Sequence, residues 1–245
     1  MVDLSSFGEN INVVVVGANG GIGSGLVSAL TACQQVGRIF ELGRVEPKEL
    51  SDKSVFLQMD MLDEASVINA ASVIKDPLEI VIVATGLLHD GEVQPEKTWR
   101  QFAVDHAETI FRVNAFGPML IAKHFLAKLN SDQKSVFAAL SAKVGSISDN
   151  ELGGWYSYRS SKAALNQYIK CSAIELSRKN KNAVCVGLHP GTVATKLSKP
   201  FQANIKAEKL FDSGKAANQL LSVLNTLDLS HSGNLISWNA SIILP

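Results

Sequence analysis

The 245-residue sequence contains few of the residues from which disulfide frameworks and metal sites are built. Its three cysteines, Cys33, Cys171 and Cys185, are widely separated and form no CxxC pair, so they suit small apolar positions in a reducing cytosol. The five histidines show no metal-ligand spacing, and we expect no metal site. Among them, His189 is expected to make a structural hydrogen bond.

An excess of one charge and long apolar runs are also missing. The 23 basic and 23 acidic residues balance, so the chain lacks the basic surface typical of proteins that bind nucleic acid or membranes. No apolar stretch approaches the ~18 residues of a membrane span, and the N-terminal MVDLSSFGEN does not resemble a secretory signal. We therefore expect a cytoplasmic protein with no nucleic-acid or membrane partner.

Short apolar runs that alternate with amphipathic stretches make up most of the chain. This alternation, together with 46% hydrophobic residues, predicts an α/β fold: a Rossmann-type, doubly wound parallel sheet of about seven strands flanked by helices, in one domain over 1–245. Residues 196–212 are polar and weakly patterned, and we expect them to form a substrate-loop insertion. The predicted strands are 11–16, 38–42, 55–59, 80–84, 136–141, 183–188 and 235–238, and the predicted helices include 63–74, 105–129 and 158–178.

The stretch VVVVGANGGIGSGL places a glycine-rich turn between a buried strand and a helix. Gly17, Gly21 and Gly23 follow the strand at G-x-x-x-G-x-G spacing. Glycine lets the backbone approach a pyrophosphate closely, and the helix N-terminus presents free N–H groups to it. A purely structural turn is the alternative, but the strand before and the helix after favour dinucleotide binding.

Two tyrosines stand near the start of a later helix, in GGWYSYRSSKAALN. Only Tyr158 has a lysine four residues on, at Lys162, whereas Tyr156 is followed at that distance by Ser160. Positions i and i+4 share a helix face, so the ammonium group is expected to lower the pKa of the Tyr158 phenol. With a cofactor site present, this pair predicts a proton donor and acceptor.

The end of the second strand, in IFELGRVEP, bears on the choice of cofactor. An acid about 20 residues beyond the glycines would hold a ribose 2′-hydroxyl, but that position is Gly43, with Arg44 next. A guanidinium group pairs with a 2′-phosphate, so we expect NADP(H) rather than NAD(H). Glu41 is the competing residue, two positions early and inside the strand.

The chain as a whole resembles the short-chain dehydrogenases/reductases, and LSAKVGSISDNELGGWYSYRSSKAALN and LHPGTVATKL are most similar to the branch of C-factor and the sniffer-type carbonyl reductases. GANGGIG resembles the family's cofactor loop, with Val16 where a threonine is usual. Ala84, Thr85 and Gly86 match the end of the strand-four motif, without the asparagine pair that precedes it in the family.

The resemblance implies how a cofactor is held. Asp60 would contact the adenine amino group, Thr195 would hold the carboxamide, and Lys162 would bind the ribose hydroxyls. Together with the residues argued above, the predicted cofactor-binding set is Gly17, Asn19, Gly20, Gly21, Ile22, Gly23, Arg44, Asp60, Met61, Ala84, Thr85, Gly86, Tyr158, Lys162, Pro190, Gly191, Val193 and Thr195.

The catalytic residues implied by the resemblance are Tyr158, Lys162, Asn114 and a serine. Asn114 would hold a water that links Lys162 to solvent, or, alternatively, satisfy backbone groups freed at a helix kink beside Gly117-Pro118.

The family's serine position, at the end of strand five, holds Ala142 here. Ser141 is one residue earlier and would reach the site only through a strand bulge, since adjacent strand residues face opposite sides. We take Ser141 as the candidate, with Ser146 as the alternative.

These features predict an enzyme that transfers a hydride between NADP(H) and a small carbonyl or alcohol substrate. The alternative is a cofactor-binding redox sensor or signalling protein with little turnover, which Ala142 would suit. The resemblance further implies a homodimer or homotetramer built on helices 105–129 and 158–178.

Overall fold

A computed structural model of the chain describes residues 2–202 and 206–245. The first half contains β1 (Ile11–Val16), α1 (Gly21–Thr31), β2 (Val36–Gly43), β3 (Ser54–Gln58), α2 (Glu64–Val73), β4 (Ile80–Val83), α3 (Val104–Phe111) and α4 (Gly117–Phe125). The second half contains β5 (Ser135–Leu140), α5 (Tyr156–Lys179), β6 (Ala183–His189), β7 (Thr192–Val193), β8 (Leu210–Phe211), α6 (Ser213–Thr226), β9 (Leu235–Ser237) and β10 (Ile242–Ile243).

The central sheet has eight strands in the order β10-β9-β6-β5-β4-β1-β2-β3. All of its pairings are parallel except that of β10 with β9, which is antiparallel. The predicted doubly wound α/β fold is confirmed. The eighth strand was missed in the sequence because β10 is only two residues long.

Both faces of the sheet are buried, as its apolar strands require. Val13 and Val15 of β1 pack on one side with α1 and α6, while Val14 and Val16 pack on the other with α2, α4 and α5. The period-2 alternation of strand side chains divides the core in this way.

The helix predicted over 105–129 is interrupted. Helices α3 and α4 are separated by a π-helical turn at Arg112–Phe116, and Pro118 has no N–H to donate to the Asn114 carbonyl. Met61 packs at this kink, where a Cβ on Gly117 would lie 3.0 Å from the Met61 sulfur.

Residues 196–212 are less irregular than expected. Their last residues form β8, which pairs in parallel with β7 in a separate two-stranded sheet. Residues 203–205 of the predicted insertion lie outside the described residues. Across 2–202 and 206–245, no helix has both the length and the apolar character that crossing a membrane demands.

Candidate active site

A cavity of about 410 Å³ opens at the carboxyl edge of the sheet, where β1 and β4 lie side by side. The strand order reverses between these two strands, and ligands of doubly wound folds bind at such a point. The predicted residues that line the cavity are Gly17, Asn19, Gly20, Arg44, Asp60, Met61, Ala84, Thr85 and Gly86.

Sequence reasoning missed part of the cavity wall. Its unpredicted members are Val16, Leu42, Gly43, Val45, Met59, Leu62 and Val113. Most of them are next to a predicted residue in the chain. The carboxyl ends of β1, β2 and β3 could therefore have been used to predict them from the sequence. Val113 directly precedes the predicted Asn114, and the π-helical turn that contains both residues brings it to the cavity.

The glycine loop is packed too tightly for side chains. Gly17 has φ +79°, a conformation that favours glycine, and a Cβ there would lie 2.8 Å from the Thr85 methyl carbon. A Cβ on Gly23 would lie 2.1 Å from the Gly17 carbonyl oxygen, so the start of α1 touches the end of β1 directly. Gly20 is the N-cap of α1, and this is the close approach that a pyrophosphate site needs.

The residues present fit a dinucleotide at this edge. Beside the glycine cradle, the hydroxyl oxygen of Thr85 is buried and has no hydrogen-bond partner among the described residues. Such an orphaned polar atom suits a site completed by a polar ligand.

Arg44 and Glu41 occupy different environments. Arg44 is exposed and lines the cavity, whereas Glu41 lies within β2 at 3% exposure and is not part of the cavity wall. The Asn19 amide donates to the carbonyl oxygen of Val45, which ties the glycine loop to the segment carrying Arg44. Asp60 accepts a hydrogen bond from the Leu62 N–H at 2.9 Å.

The nicotinamide-side predictions lie away from the cavity wall. Gly21 faces Thr195, since a Cβ on Gly21 would lie 2.5 Å from the Thr195 methyl carbon. Gly191 has φ +74° and packs under Phe211, while Val193 is buried in β7. Pro190 is buried, and Ile22 packs on the core from the first turn of α1.

Tyr158 and Lys162 are brought together in the first turns of α5, both almost fully buried. The Lys162 Nζ lies 5.9 Å from the Tyr158 ring centre and donates to the Leu140 carbonyl oxygen at 2.8 Å. Burial raises the pKa of Tyr158 to about 12 and lowers that of Lys162 to about 7. The expected lowering of the tyrosine pKa is therefore wrong for this structure, because desolvation of the buried phenol shifts its pKa in the opposite direction.

Asn114 is fully buried in the π-helical turn, with its side chain bonded to a neighbouring loop. Its Oδ1 accepts from the Leu87 N–H at 2.8 Å, and its Nδ2 donates to the Leu87 carbonyl and to the Ser161 hydroxyl. Because Pro118 has no N–H, the backbone carbonyl of Asn114 is the group of this residue that could bind the water of the predicted relay. That relay stays a prediction.

Ser141 continues β5 without a bulge. Its N–H donates to the Leu188 carbonyl, and its hydroxyl donates to the Asn166 Oδ1 at 2.7 Å. The bulge that would turn Ser141 into the site is absent from the described strand, whose register with β6 runs unshifted. The Ser146 hydroxyl is also buried, 3.3 Å from that of Ser148.

His189 differs from expectation. Its Nδ1 is buried without a hydrogen-bond partner in the described part of the chain, so the predicted structural hydrogen bond is not made at that atom. Burial, aided by Lys143, lowers the pKa of His189 to about 4. Among residues 2–202 and 206–245, no cluster of three or more metal-ligating side chains is found.

Comparison with known proteins identifies the family. The short chain dehydrogenase family model matches residues 11–206, so the chain belongs to this oxidoreductase family, as its motifs predicted. The C-signal protein of Myxococcus xanthus is 29% identical over 140 residues, which cover 56% of this chain and 79% of that protein. This similarity agrees with the predicted branch.

Two solved structures share the fold over nearly the full length. The NADPH-bound carbonyl reductase from chicken fatty liver superposes with a TM-score of 0.84 and 25% identity, covering 100% of this chain and 96% of that one. The carbonyl reductase Sniffer of D. melanogaster gives a TM-score of 0.82 and 21% identity, with 97% and 100% covered.

The depressed pKa of Lys162 predicts a pH-dependent stability. Between about pH 7 and 10, the unfolded chain binds a proton that the folded chain does not. The free energy of unfolding therefore rises with pH, by at most ~1.4 kcal/mol per unit from this group. Lys162→Met should lose that rise. In urea unfolding, the free energy of unfolding of the variant should therefore fall relative to that of wild type between pH 7 and pH 9. Lys170→Met, an exposed lysine on the same helix, should keep the wild-type slope.

Proposed function

We propose that the protein is an NADP(H)-dependent carbonyl reductase that acts on small carbonyl compounds with an apolar body. One observation carries the proposal: the cavity wall at Gly86 adjoins the buried Tyr158–Lys162 pair. A Cβ on Gly86 would lie 3.7 Å from the Lys162 Nζ and 3.6 Å from the Asn114 Oδ1. The predicted cofactor site and the predicted proton donor would thereby be neighbours.

Residues of the cavity and of the neighbouring nicotinamide side would hold the cofactor. The glycine loop would bind the pyrophosphate, Arg44 a 2′-phosphate and Asp60 the adenine, with Thr195 at the carboxamide and Lys162 at the ribose. When bound, NADPH supplies a hydride to the carbonyl carbon. Similarity to the NADPH-bound chicken reductase supports this choice of cofactor.

Tyr158 would give its phenolic proton to the carbonyl oxygen, which leaves an alcohol. A pKa of about 12 keeps the phenol protonated at neutral pH, the form that carbonyl reduction needs. Lys162, with a pKa of about 7, would then replace the proton or stabilise the phenolate.

A second candidate, a cofactor-binding redox sensor with weak turnover, is favoured by Ala142 at the serine position. A screen of aldehydes, ketones and diketones with NADPH, followed by loss of absorbance, separates the two functions. Tight NADPH binding without turnover of any compound would support the sensor.

We also propose that the protein forms a homodimer or homotetramer, with helices α3, α4 and α5 at the interface. Two apolar side chains there are about half exposed, Phe116 at 45% and Ile174 at 48%.

Tyr158→Phe should lower kcat by about 10²- to 10⁴-fold, because the hydroxyl acts mainly in the transition state. The NADPH dissociation constant should change little. Tyr156→Phe is the matched control, two residues away and without a lysine four residues on. Steady-state kinetics and fluorescence titration test both variants, and equal losses of kcat would contradict the assignment of Tyr158.

Arg44→Asp should weaken NADPH binding ~10- to 100-fold, because it removes a charge-assisted contact and adds repulsion toward the 2′-phosphate. NADH lacks that phosphate and should lose little affinity or gain some. Fluorescence titration with both cofactors measures the ratio. An unchanged ratio would show that Arg44 is a solvated surface residue.

Ala142→Ser should raise turnover of a simple carbonyl compound, by restoring a hydrogen-bond donor whose loss costs about 10²- to 10³-fold at comparable sites. Ser141→Ala should leave kcat nearly unchanged, because its hydroxyl is bonded to Asn166. It should lower stability by about 1 kcal/mol through the lost hydrogen bond. A large fall in kcat for Ser141→Ala would instead establish Ser141 as the donor.

A further inference from the structure

Helix α5 begins without a capping side chain of its own. Its N-cap residue is Trp155, which lies in the left-handed region at φ 52° and makes no side-chain cap hydrogen bond. The first turn holds no acidic residue either. The first N–H groups of a helix need partners from elsewhere, and Tyr158 lies in this turn.

Glu96 supplies the missing cap from 61 residues upstream. It is only 5% exposed, and its two carboxylate oxygens accept from the Ser157 N–H at 3.3 and 3.2 Å. The Ser157 hydroxyl also donates to the same carboxylate. A carboxylate at a helix N-terminus is further favoured by the positive end of the helix dipole.

The backbone of Glu96 holds the preceding residue as well. Its carbonyl oxygen accepts from the Trp155 N–H at 2.6 Å. Trp155 follows Gly153 and Gly154, which also have positive φ values, so three consecutive residues share a conformation that is unfavourable for tryptophan. An external contact must therefore stabilise Trp155 in this position.

Trp155 in turn packs on Tyr158. The two rings meet edge to face with centres 6.1 Å apart, and Phe201 contacts the Trp155 ring from another side at 4.9 Å. A shift of the first turn of α5 would move both the phenol and the aromatic side chain beside it.

We propose that Glu96 is a positioning residue for the reaction: it fixes Trp155 and the first turn of α5, and through them the place of the Tyr158 hydroxyl. This inference rests on the proposed function for its kinetic consequence. A contact that only anchored the 84–103 loop would leave kcat and the surroundings of Trp155 unaltered.

The test compares Glu96→Ala, Glu96→Gln and Ser157→Ala with Glu92→Ala, an exposed glutamate of the same loop. Glu96→Ala should lower kcat by on the order of 10²-fold, as expected for a misplaced reacting group, with little change in NADPH affinity. Glu96→Gln keeps an acceptor oxygen and should recover most of kcat. Ser157→Ala removes one of the two donors and should lower kcat several-fold.

A second readout does not depend on turnover. In protein labelled with 5-fluorotryptophan, the resonance of Trp155, assigned through Trp155→Phe, should shift in Glu96→Ala and, less, in Ser157→Ala. It should stay at the wild-type position in Glu92→Ala, and the resonance of Trp238, which packs on Phe211, should not move in any of them.

The outcomes separate the inference from the proposed function. If wild type reduces no carbonyl compound, the proposed function fails, and the fluorine spectrum alone decides the role of Glu96. An unshifted Trp155 resonance in Glu96→Ala, or wild-type kcat in that variant, overturns the inference, as does a Gln variant no more active than the Ala variant. If Glu96→Ala does not fold, wild-type kcat and an unshifted Trp155 resonance in Ser157→Ala overturn it.

Discussion

The hydrogen bond from the Lys162 Nζ to the Leu140 carbonyl joins helix α5 to the end of strand β5, and the site is organised around it. Leu140 is the last residue of β5, so this hydrogen bond lies at the carboxyl edge of the sheet. The bond forms because α5 lies directly against the turn that follows: a Cβ on Gly145 would lie 2.7 Å from the Lys162 Cβ. Because Gly145 has no side chain, Lys162 can lie close to this turn. A larger residue at position 145 would push α5 and Tyr158 away from the sheet.

Burial of this pair has opposite effects on its two members. Desolvation disfavours the charged form of each, which raises the pKa of a phenol and lowers that of an amine. The values of about 12 and about 7 therefore have one physical cause. A phenol that stays protonated lies beside an amine that titrates near neutrality, as the proposed proton transfer would require.

The sequence predicted the features that depend on local pattern. Strand alternation, the glycine loop and the Tyr158–Lys162 spacing yielded the fold and half of the cavity wall. Features that depend on distance or burial were out of reach. The pairs β7–β8 and β9–β10 are two residues long, and the Ser141–Asn166 hydrogen bond joins a strand to a helix. The four-residue spacing predicted that Lys162 lies near Tyr158, but it did not predict how deeply Tyr158 is buried. The expected direction of the Tyr158 pKa shift was therefore wrong.

One predicted departure of this chain from its family lies at the end of β5. The sequence pattern predicts Ala142 at the family's serine position, and the Ser141 hydroxyl donates to Asn166 of helix α5. In the proposed function, a missing donor at the substrate oxygen would leave more of the alignment to Tyr158. The position of Tyr158 depends on the position of the first turn of α5. The N-cap residue of this turn, Trp155, makes no side-chain capping hydrogen bond. Glu96 supplies that cap through its hydrogen bonds to Ser157, and in the proposed function this contact would help to fix the alignment of Tyr158.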